Sequence, residues 1–515
     1  MISSLVGCAG TTQKGFSHDY EVMESVYSYK DYANNSYYNS DYCPTIGEPK
    51  ILVIPVWFTN TDSYILEDNK ELVRDDIRKA YVGTPEETGW HSVSSYYQAE
   101  SFGKCKIQAT ISDWYECGHA ASYYYDEEIG VGRVIEMLID AVEWYFENNP
   151  EDDRTSYDLD KNGQLDGVML IYGSPDYTVL PSAGFNNNDE SRENMWAYCN
   201  WVSDVEHADV NKPIVNVYFW ASYDFMYSSG NAAKARTGKS SAASGDTSHC
   251  IIDTHTYIHE MGHVFGLEDY YDYSRASYCP AGGFSMQDYN VGGHDPFSLM
   301  AFNWIDPIVV HNDCTIDLNT FQETHQVILL SDTRTYSRSP FDEYMLLELY
   351  SPTRLNKFDS DYQYDRSYPQ GPSQLGIRLW HVDARLVYFE GKDVIVSEMY
   401  NNPKVEGMKV GHAFSNTYED PDYGSILGRY NGEFYYYNIL QLIRNNRTAN
   451  VKNKKTVKDT DLFHAGDSYK QFDFTPQFVN GNRLNNLESL NWSFTVNSIG
   501  TYSANITFHI LGSGN

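Results

Sequence analysis

Two histidines and a glutamate lie close together at His259, Glu260 and His263, in the order His-Glu-x-x-His. Gly266 and Asp269 follow this group at intervals of three residues. Imidazole nitrogens and carboxylate oxygens are ligands that zinc takes in proteins, and histidines four residues apart on a helix can bind one ion. The spacing therefore predicts a zinc site with His259, His263 and Asp269 as ligands and Glu260 as a general base.

A helix must position these groups. At about 100° per residue, His263 lies about 40° and Glu260 about 100° from His259. The apolar residues of the segment fall on the opposite side: Tyr257, Ile258, Met261, Val264 and Phe265. Asp253 or Thr254 is the predicted N-cap. The pattern indicates a buried helix that presents both imidazoles and the carboxylate on one face.

The segment after the helix supplies the third ligand. Gly266 is expected to end the helix, so that the chain doubles back and brings Asp269 to the ion. Two histidines and one aspartate leave a position for water, whose pKa the ion lowers toward neutrality. Glu260 is then expected to accept a proton from that water and to pass it to the leaving amine of a peptide bond.

Other residues are weaker candidates for this site: His255, His294, Glu268 and Asp272. A solvated or core-edge position is favoured for His255 over a place beside the metal ligands. Cys43 precedes Pro44, and a thiolate that caps the zinc is weighed there against a disulfide or an inert thiol, which are favoured. A distant glutamate as the third ligand is a further alternative, which the Gly266 and Asp269 spacing disfavours.

A second group of oxygen ligands occupies alternate positions of one loop: Asp158, Asp160, Asn162, Gln164 and Asp166. This spacing is typical of calcium loops, and Gly163 permits the sharp turn. Met169 stands where an EF-hand has a glutamate, and a predicted strand follows, so the loop is not an EF-hand. We expect calcium to have a structural role here; the alternative is a turn rich in Asp and Asn.

Length and charge limit the classes of protein to consider. The chain has 515 residues, which suggests two domains or three, and a hydrophobic content of 41% permits packed cores. With 37 basic and 71 acidic residues, the net charge is −34. This charge disfavours nucleic acid and anionic lipid surfaces as partners. The partner expected is a protein or peptide substrate.

The N-terminus and the cysteines bear on location. No apolar run approaches the ~18–20 residues of a membrane span. Leu5-Val6-Gly7-Cys8 is similar to the lipobox of bacterial lipoproteins, so a lipid anchor at Cys8 is weighed against a chance match. The eight cysteines include no CxxC pair, which disfavours a zinc finger, and Cys105 with Cys117 is a potential disulfide. An extracellular or cell-surface location is expected.

The remaining pattern predicts an α+β protein in three parts: a leader and linker at 1–45, a catalytic domain at 46–310 and a β-rich, sandwich-like region at 311–515. Predicted strands and helices of the catalytic domain are Ile51–Phe58, Asp75–Val82, Ser92–Ser101, Cys105–Ile111, Val131–Asn148, Gly167–Tyr172, Trp196–Trp201 and Val215–Trp220. Predicted strands of the β-rich region are His325–Leu330, Tyr344–Leu349, Gly376–His381, Tyr435–Leu440, Asn491–Val496 and Ser503–Leu511.

The segment HEMGHVFGLED resembles the metzincin signature in its form that ends in Asp. From about residue 48 to beyond 380, the sequence resembles the immune inhibitor A-like peptidases of bacteria. The blocks that carry this resemblance are KILVIPVWF, SVSSYYQAESFGK, DLDKNGQLDGV, GIRLWHV and the segment Asp269-Tyr270-Tyr271-Asp272. The resemblance implies a metzincin-like catalytic domain followed by β-rich structure. It also implies Asp269 as the third ligand and Met286 as the residue of a Met-turn.

One departure concerns the Met-turn, where Phe-Ser-Met-Gln-Asp-Tyr is not the commonest wording of the family. This departure disfavours an oxyanion-stabilising role for Tyr289. The expected function is a secreted or surface-tethered zinc-dependent endopeptidase with calcium as a second cofactor. The alternative is a non-catalytic surface-binding protein on a metalloprotease scaffold. The intact Glu260 and the complete ligand set disfavour that alternative.

Overall fold

The structure is a computed structural model with mixed helix and sheet. It describes residues 18–25, 42–178, 180, 192–202, 207–239, 250–273, 279–331, 336–363, 368–390, 393–395, 409–411, 415–416, 427–430, 433–436, 438–449 and 456–511. The chain forms two compact units. We call residues 38–267 with 363–368 the parallel-sheet unit, and residues 1–37, 268–362 and 369–515 the β-rich unit. The sequence predicts a domain boundary at residue 310, whereas the chain leaves the parallel-sheet unit after residue 267.

The strands are numbered in chain order. They are β1 (Tyr20–Val22), β2 (Lys50–Trp57), β3 (Gln108–Ile111), β4 (Tyr115–Glu116), β5 (Val168–Tyr172), β6 (Tyr198–Trp201), β7 (Val217–Ser222), β8 (Ile308–Val310), β9 (Cys314–Asn319), β10 (Ile328–Leu330), β11 (Glu343–Tyr350), β12 (Gly376–Asp383), β13 (Val387–Glu390), β14 (Asp393–Ile395), β15 (Lys409–Gly411), β16 (Leu427–Tyr430), β17 (Glu433–Tyr436), β18 (Leu440–Ile443), β19 (Ser468–Lys470), β20 (Trp492–Ile499) and β21 (Ser503–Ile510).

The α-helices are numbered in the same way. They are α1 (Lys70–Val82), α2 (Pro85–Thr88), α3 (Val93–Glu100), α4 (Glu127–Asn148), α5 (Gly230–Thr237), α6 (His255–Val264), α7 (Met286–Tyr289), α8 (Pro296–Ala301), α9 (Phe321–Thr324) and α10 (Leu355–Asp361). None of the described helices, including the 22-residue α4, combines the length and the hydrophobicity that a membrane crossing requires.

The parallel-sheet unit is built on one sheet with the strand order β3-β2-β5-β7-β6, and β4 also pairs with β2. Strands β2, β3, β4, β5 and β7 run parallel, while the edge strand β6 is antiparallel to β7. The inner strands β5 and β7 are buried at every residue. This is why they appear in the sequence as continuous apolar runs, since a parallel sheet is covered on both faces.

Each face of this sheet carries a different helix. Tyr218 and Trp220 of β7 share a core cluster with Leu138 and other residues of α4. Phe219, which lies between them and therefore points to the opposite face, contacts the ring of Tyr257 in α6 at 5.7 Å between centroids. Helix α6, which carries the His-Glu-x-x-His segment, therefore packs on the sheet face opposite α4.

The β-rich unit contains a six-stranded sheet, β1-β8-β10-β11-β12-β18, and a four-stranded sheet, β19-β20-β21-β9. One hydrophobic cluster takes residues from both, such as Leu347 and Leu379 from the first sheet and Phe494 and Ile506 from the second. Two sheets that share one core have the layered arrangement of a sandwich. Strand β1 lies within the predicted leader and pairs antiparallel with β8.

Two predicted elements differ from the structure more than the others do. Helix α1 begins at Lys70 instead of Asp75, because its first turn is charged and its buried residues start only at Val73. The predicted strand 435–440 is wrong: its residues belong to the ends of β17 and β18, which are separate strands. The residues between these strands include Asn438, whose side chain donates to Oε1 of Gln441.

The Cys105–Cys117 disulfide does not form, and both residues are thiols. Strands β3 and β4 both pair with β2 and follow each other along the same edge. Cys105 lies opposite Gly47 and Cys117 donates its backbone N–H to Trp57. Their partners Gly47 and Trp57 are ten residues apart, and ten strand residues span about 30 Å. A disulfide needs Cα atoms within about 7 Å, so Cys105 and Cys117 are too far apart to form one. Cys8 and the lipobox lie outside the described residues.

Candidate metal centre

The N-terminus of helix α6 is fixed by two polar residues. Thr254 occupies the N-cap position, and its hydroxyl donates to the backbone oxygen of His91 at 2.6 Å. The Asp253 carboxylate accepts the backbone N–H of His255 at 3.1 Å. Both residues that the sequence offers as N-caps therefore contribute, Thr254 by position and Asp253 by hydrogen bonding to one of the N–H groups that a helix start leaves unpaired.

Two tyrosine hydroxyls attach the helix to its surroundings. Tyr257 of α6 donates to the backbone oxygen of Ser222 at the end of β7, at 2.7 Å. Tyr97 of α3 donates to the backbone oxygen of Ile258, also at 2.7 Å. All four residues are buried, so these bonds lie away from water and hold the helix in one position on the sheet.

The C-terminus of the helix is a sharp reversal. Gly266 has φ of 103°, a conformation that favours glycine, and Leu267 donates its N–H to the backbone oxygen of Gly262 at 2.9 Å.

Cys43 donates its backbone N–H to the backbone oxygen of Val264 at 2.9 Å. Burial, and then nearby charged groups, raises the pKa of the Cys43 thiol well above its usual value, and among the described residues Cys43 does not belong to the group of potential metal ligands.

His259, His263 and Asp269 converge. Each offers one ligand atom, and these atoms lie within 4.8 Å of one another. The Nε2 atoms of the two histidines are 3.1 Å apart, with their rings nearly perpendicular at 84°. His259 and Asp269 are buried and His263 is half-buried. Of the described residues, these three form the one such group of potential metal ligands.

The hydrogen bonding of His263 suits a metal ligand. Its Nδ1 lies 2.7 Å from the backbone oxygen of Leu267, and a carbonyl oxygen only accepts, so Nδ1 carries the proton. The lone pair of Nε2 then faces Nε2 of His259. Two nitrogens bound to one zinc at about 2.0–2.1 Å lie about 3.3 Å apart at a tetrahedral angle. The donor set and its spacing therefore fit a zinc ion held by His259, His263 and Asp269.

Glu260 follows His259 on the helix and is 6% exposed. The hydroxyl of Tyr81, from helix α1, is fully buried, and its ring stacks on that of Tyr257 at 5.7 Å. Burial first and the charge of Glu260 second raise the pKa of Tyr81 well above 10. The neighbourhood of Glu260 thus includes a protonated phenol that sequence reasoning did not identify.

His255 is fully buried, so of the two favoured positions, solvated or at the edge of the core, the solvated one is wrong. Its ring stacks on Trp90 with centroids 4.2 Å apart and an angle of 8° between the planes. Its Nδ1 lies 2.9 Å from Oδ1 of Asp253. The other weaker candidates do not belong to the group of three among the described residues: His294, Glu268 and Asp272.

Met286 is buried and begins the short helix α7. The backbone oxygen of the next residue, Gln287, accepts the N–H of Tyr270 at 2.8 Å. The predicted Met-turn therefore lies beside the residue that follows Asp269. The ring of Tyr289 lies 6.4 Å from that of Tyr271, measured between centroids.

The predicted calcium loop is held by its own side chains. The two carboxylate oxygens of Asp158 accept the backbone N–H groups of Asn162 and Gly163, each at 2.9 Å. Oδ1 of Asn162 accepts the N–H of Gln164 at 2.8 Å. Gly163 has φ of 83°, and a Cβ there would lie 2.7 Å from the backbone nitrogen of Asp209. The turn therefore requires glycine at this position.

Asp166 closes the same loop. Its carboxylate accepts the backbone N–H groups of Leu159 at 2.9 Å and Lys50 at 3.0 Å. Burial, and then the charges of Asp160 and Asp158, raises the pKa of Asp166 to about 7. Asp160 itself is exposed. The loop thus gathers carboxylates whose repulsion a cation would offset, although in the described residues they do not converge as His259, His263 and Asp269 do.

Three residues that contact helix α6 or Asp269 were not found from the sequence: Tyr81, Trp90 and Tyr273. Each is one aromatic residue among many in a chain with 45 tyrosines and 10 tryptophans, and no spacing distinguishes it. Their positions depend on how separate segments pack, which a local motif does not contain. Compared with protein-family models and with curated proteins, the sequence matches none.

Proposed function

We propose that the protein is a zinc-dependent endopeptidase. The observation that carries the proposal is the convergence of His259, His263 and Asp269 to within 4.8 Å, with Glu260 beside them on the same helix. The orientation of His263 by the Leu267 carbonyl supports it further, because metal-bound histidines generally donate their other N–H to such a group. The family resemblance of the segment HEMGHVFGLED and its surroundings agrees with this proposal.

The chain's own residues divide the work. His259, His263 and Asp269 hold the ion. Zinc, when bound, supplies a Lewis acid that polarises the peptide carbonyl and makes a water molecule more acidic. Glu260 accepts the proton of the attacking water and delivers it to the leaving nitrogen. Its neighbouring position on the helix keeps it close to the metal without making it a ligand.

We also propose calcium in the loop of Asp158, Asp160, Asn162, Gln164 and Asp166, with a structural role. The support for a cation there is the set of oxygen ligands at alternate positions of one loop, which is the donor type that hard cations take. The pKa of Asp166 is raised first by burial and then by the charges of Asp160 and Asp158, so these carboxylates lie near one another. A secreted or cell-surface location completes the proposal. The net charge of −34 disfavours nucleic acid as the substrate, and the proposed substrate is a protein or peptide.

The test compares the full-length wild type with Glu260→Gln on a denatured protein substrate, with zinc content determined for both. We expect cleavage by the wild type, about one zinc per chain in both proteins, and a rate at least about 100-fold lower in the variant. Zinc in both without cleavage by the wild type would favour the alternative, a surface-binding protein on a protease scaffold. Absence of zinc from both would overturn the proposal.

A further inference from the structure

Asp269 accepts a hydrogen bond from a residue that lies outside the segment HEMGHVFGLED. The hydroxyl of Tyr273 donates to Oδ2 of Asp269, four residues earlier in the same loop. Asp269 is 5% exposed, whereas Tyr273 is 38% exposed and lies at the surface. The ring of Tyr273 packs against Tyr271 in an edge-to-face arrangement, with centroids 5.3 Å apart.

A carboxylate that serves as a metal ligand has two oxygens and can rotate. A phenol that donates to Oδ2 occupies that oxygen, restricts the rotation and leaves Oδ1 to the ion. His263 has a corresponding partner, since Leu267 accepts its Nδ1 proton and thereby directs Nε2 toward the centre. One histidine ligand and the aspartate ligand are therefore each oriented by a partner from the segment that follows helix α6.

The base of this loop is fixed independently of Tyr273. Tyr270 donates its backbone N–H to Gln287 at 2.8 Å, and its hydroxyl lies 2.9 Å from Oγ of Ser298. Both contacts are buried. Loss of the Tyr273 hydroxyl alone should therefore leave the path of the loop in place and release only the Asp269 carboxylate.

We propose that Tyr273 is a positioning residue for the metal centre, which holds Asp269 in the orientation that binds zinc through one oxygen. The inference rests on the proposed zinc site and adds to it a residue outside the ligand set. Metal affinity typically falls about 10–100-fold when such an outer partner of a ligand is removed. Tyr273→Phe keeps the ring and removes only the hydroxyl. Because Tyr273 is 38% exposed, we expect this substitution to disturb the packing little.

The experiment measures zinc affinity of the full chain by competition with a chromogenic chelator, for the wild type, Tyr273→Phe and Tyr270→Phe. Tyr270→Phe is the matched control, since it removes a hydroxyl that contacts Ser298 instead of Asp269 and keeps the backbone bond from Tyr270 to Gln287 that holds the loop. We expect an affinity about 10–100-fold lower for Tyr273→Phe only. The visible spectrum of the cobalt-substituted proteins should change in Tyr273→Phe as well, because it reports the geometry of the ligands.

The thermal midpoint of the zinc-free proteins separates positioning from folding. We expect the same midpoint for the wild type and Tyr273→Phe. Equal zinc affinity and equal cobalt spectra in these two proteins would overturn the role of Tyr273 and leave the zinc site intact. A lower midpoint of zinc-free Tyr273→Phe that accounts for the whole loss of affinity would also overturn it. A wild type that binds no zinc would overturn both this inference and the proposed function.

Discussion

The proposed zinc group and the proposed calcium loop differ in what holds their potential ligand atoms. In helix α6 the backbone is bonded within the helix, so His259 and His263 are held by the helix itself and their Nε2 atoms converge, while Nδ1 of His263 bonds to the Leu267 carbonyl. In the loop, Asp158 and Asp166 hold the backbone through four N–H bonds of 2.9–3.0 Å. The helix therefore presents two of the three potential ligands preformed, whereas the loop would use the same oxygens for its fold and for the proposed cation.

The largest expected effect is on zinc binding, and it should separate His259 from His255, which lies four residues earlier on α6. His259→Ala removes a ligand, so zinc binding should fall at least about 1,000-fold, more than the 10–100-fold of an outer partner. His255→Ala removes a buried ring that stacks on Trp90, so it should keep about one zinc per chain and lower the thermal midpoint. Zinc content and thermal melting of the two variants check this.

The contrast fails if His255→Ala also loses zinc while it remains folded, since His255 would then belong to the centre. Circular dichroism confirms folding before the zinc content is compared. The matched feature of the two variants is that each loses one imidazole from the same helix, and both histidines are buried.

This contrast also shows how far the sequence reaches. The spacing of His259, Glu260 and His263 determines their common face, because helix geometry is regular, and Gly266 predicts the reversal seen after Val264. The burial of His255 depends on its contact with Trp90, and the contact of Tyr273 with Asp269 depends on the fold of a loop. Neither can be predicted from the periodicity of the sequence. The core strands β2, β5 and β7 were predictable from apolar runs, but the β1 strand within the predicted leader was not, since its three residues carry no pattern.

Calcium should stabilise the loop but not the zinc group. Chelators also remove zinc, so the measurement uses His259→Ala, in which chelation acts on calcium alone. Calcium at about 100 times its dissociation constant stabilises by about 2.7 kcal/mol, which corresponds to a rise in the thermal midpoint of about 5–10 °C. Asp158→Asn should abolish most of this rise, whereas Asp140→Asn, an exposed carboxylate on α4, should keep it.

If calcium does not raise the thermal midpoint, the calcium assignment is wrong and the loop is a turn built from Asp and Asn side chains. An equal rise in Asp158→Asn and in the parent would place the calcium elsewhere in the chain.

The turn within the loop should be more sensitive than a comparable turn elsewhere. Gly163→Ala combines positive φ with a Cβ placed 2.7 Å from a backbone nitrogen, so we expect a loss of about 2–4 kcal/mol. Gly118→Ala has a similar φ of 74° and no atom within 4 Å of the new Cβ, so it should lose only about 1 kcal/mol. Denaturant unfolding of both variants measures the difference, and equal losses would show that the close approach to Asp209 has no effect.

The smallest expected effect concerns a buried carboxylate pair outside both sites, Asp176 and Asp224, which follow the parallel strands β5 and β7. Burial, and then the charge of Asp176, raises the pKa of Asp224, so the folded state favours its protonated form. This stabilisation is complete below the ordinary pKa of aspartate, about 4, and is lost as the pH rises through the raised pKa of the folded state. Asp224→Asn, which does not ionise, should therefore lose less stability than the wild type across that range, by a few degrees in thermal midpoint.

Because Asp224 is not among the predicted calcium ligands, the difference should be the same with and without calcium, whereas calcium should remove the corresponding effect of Asp166. Parallel pH profiles for the wild type and Asp224→Asn would contradict the first expectation, and a calcium-dependent difference between them would show that the buried pair itself takes up the ion.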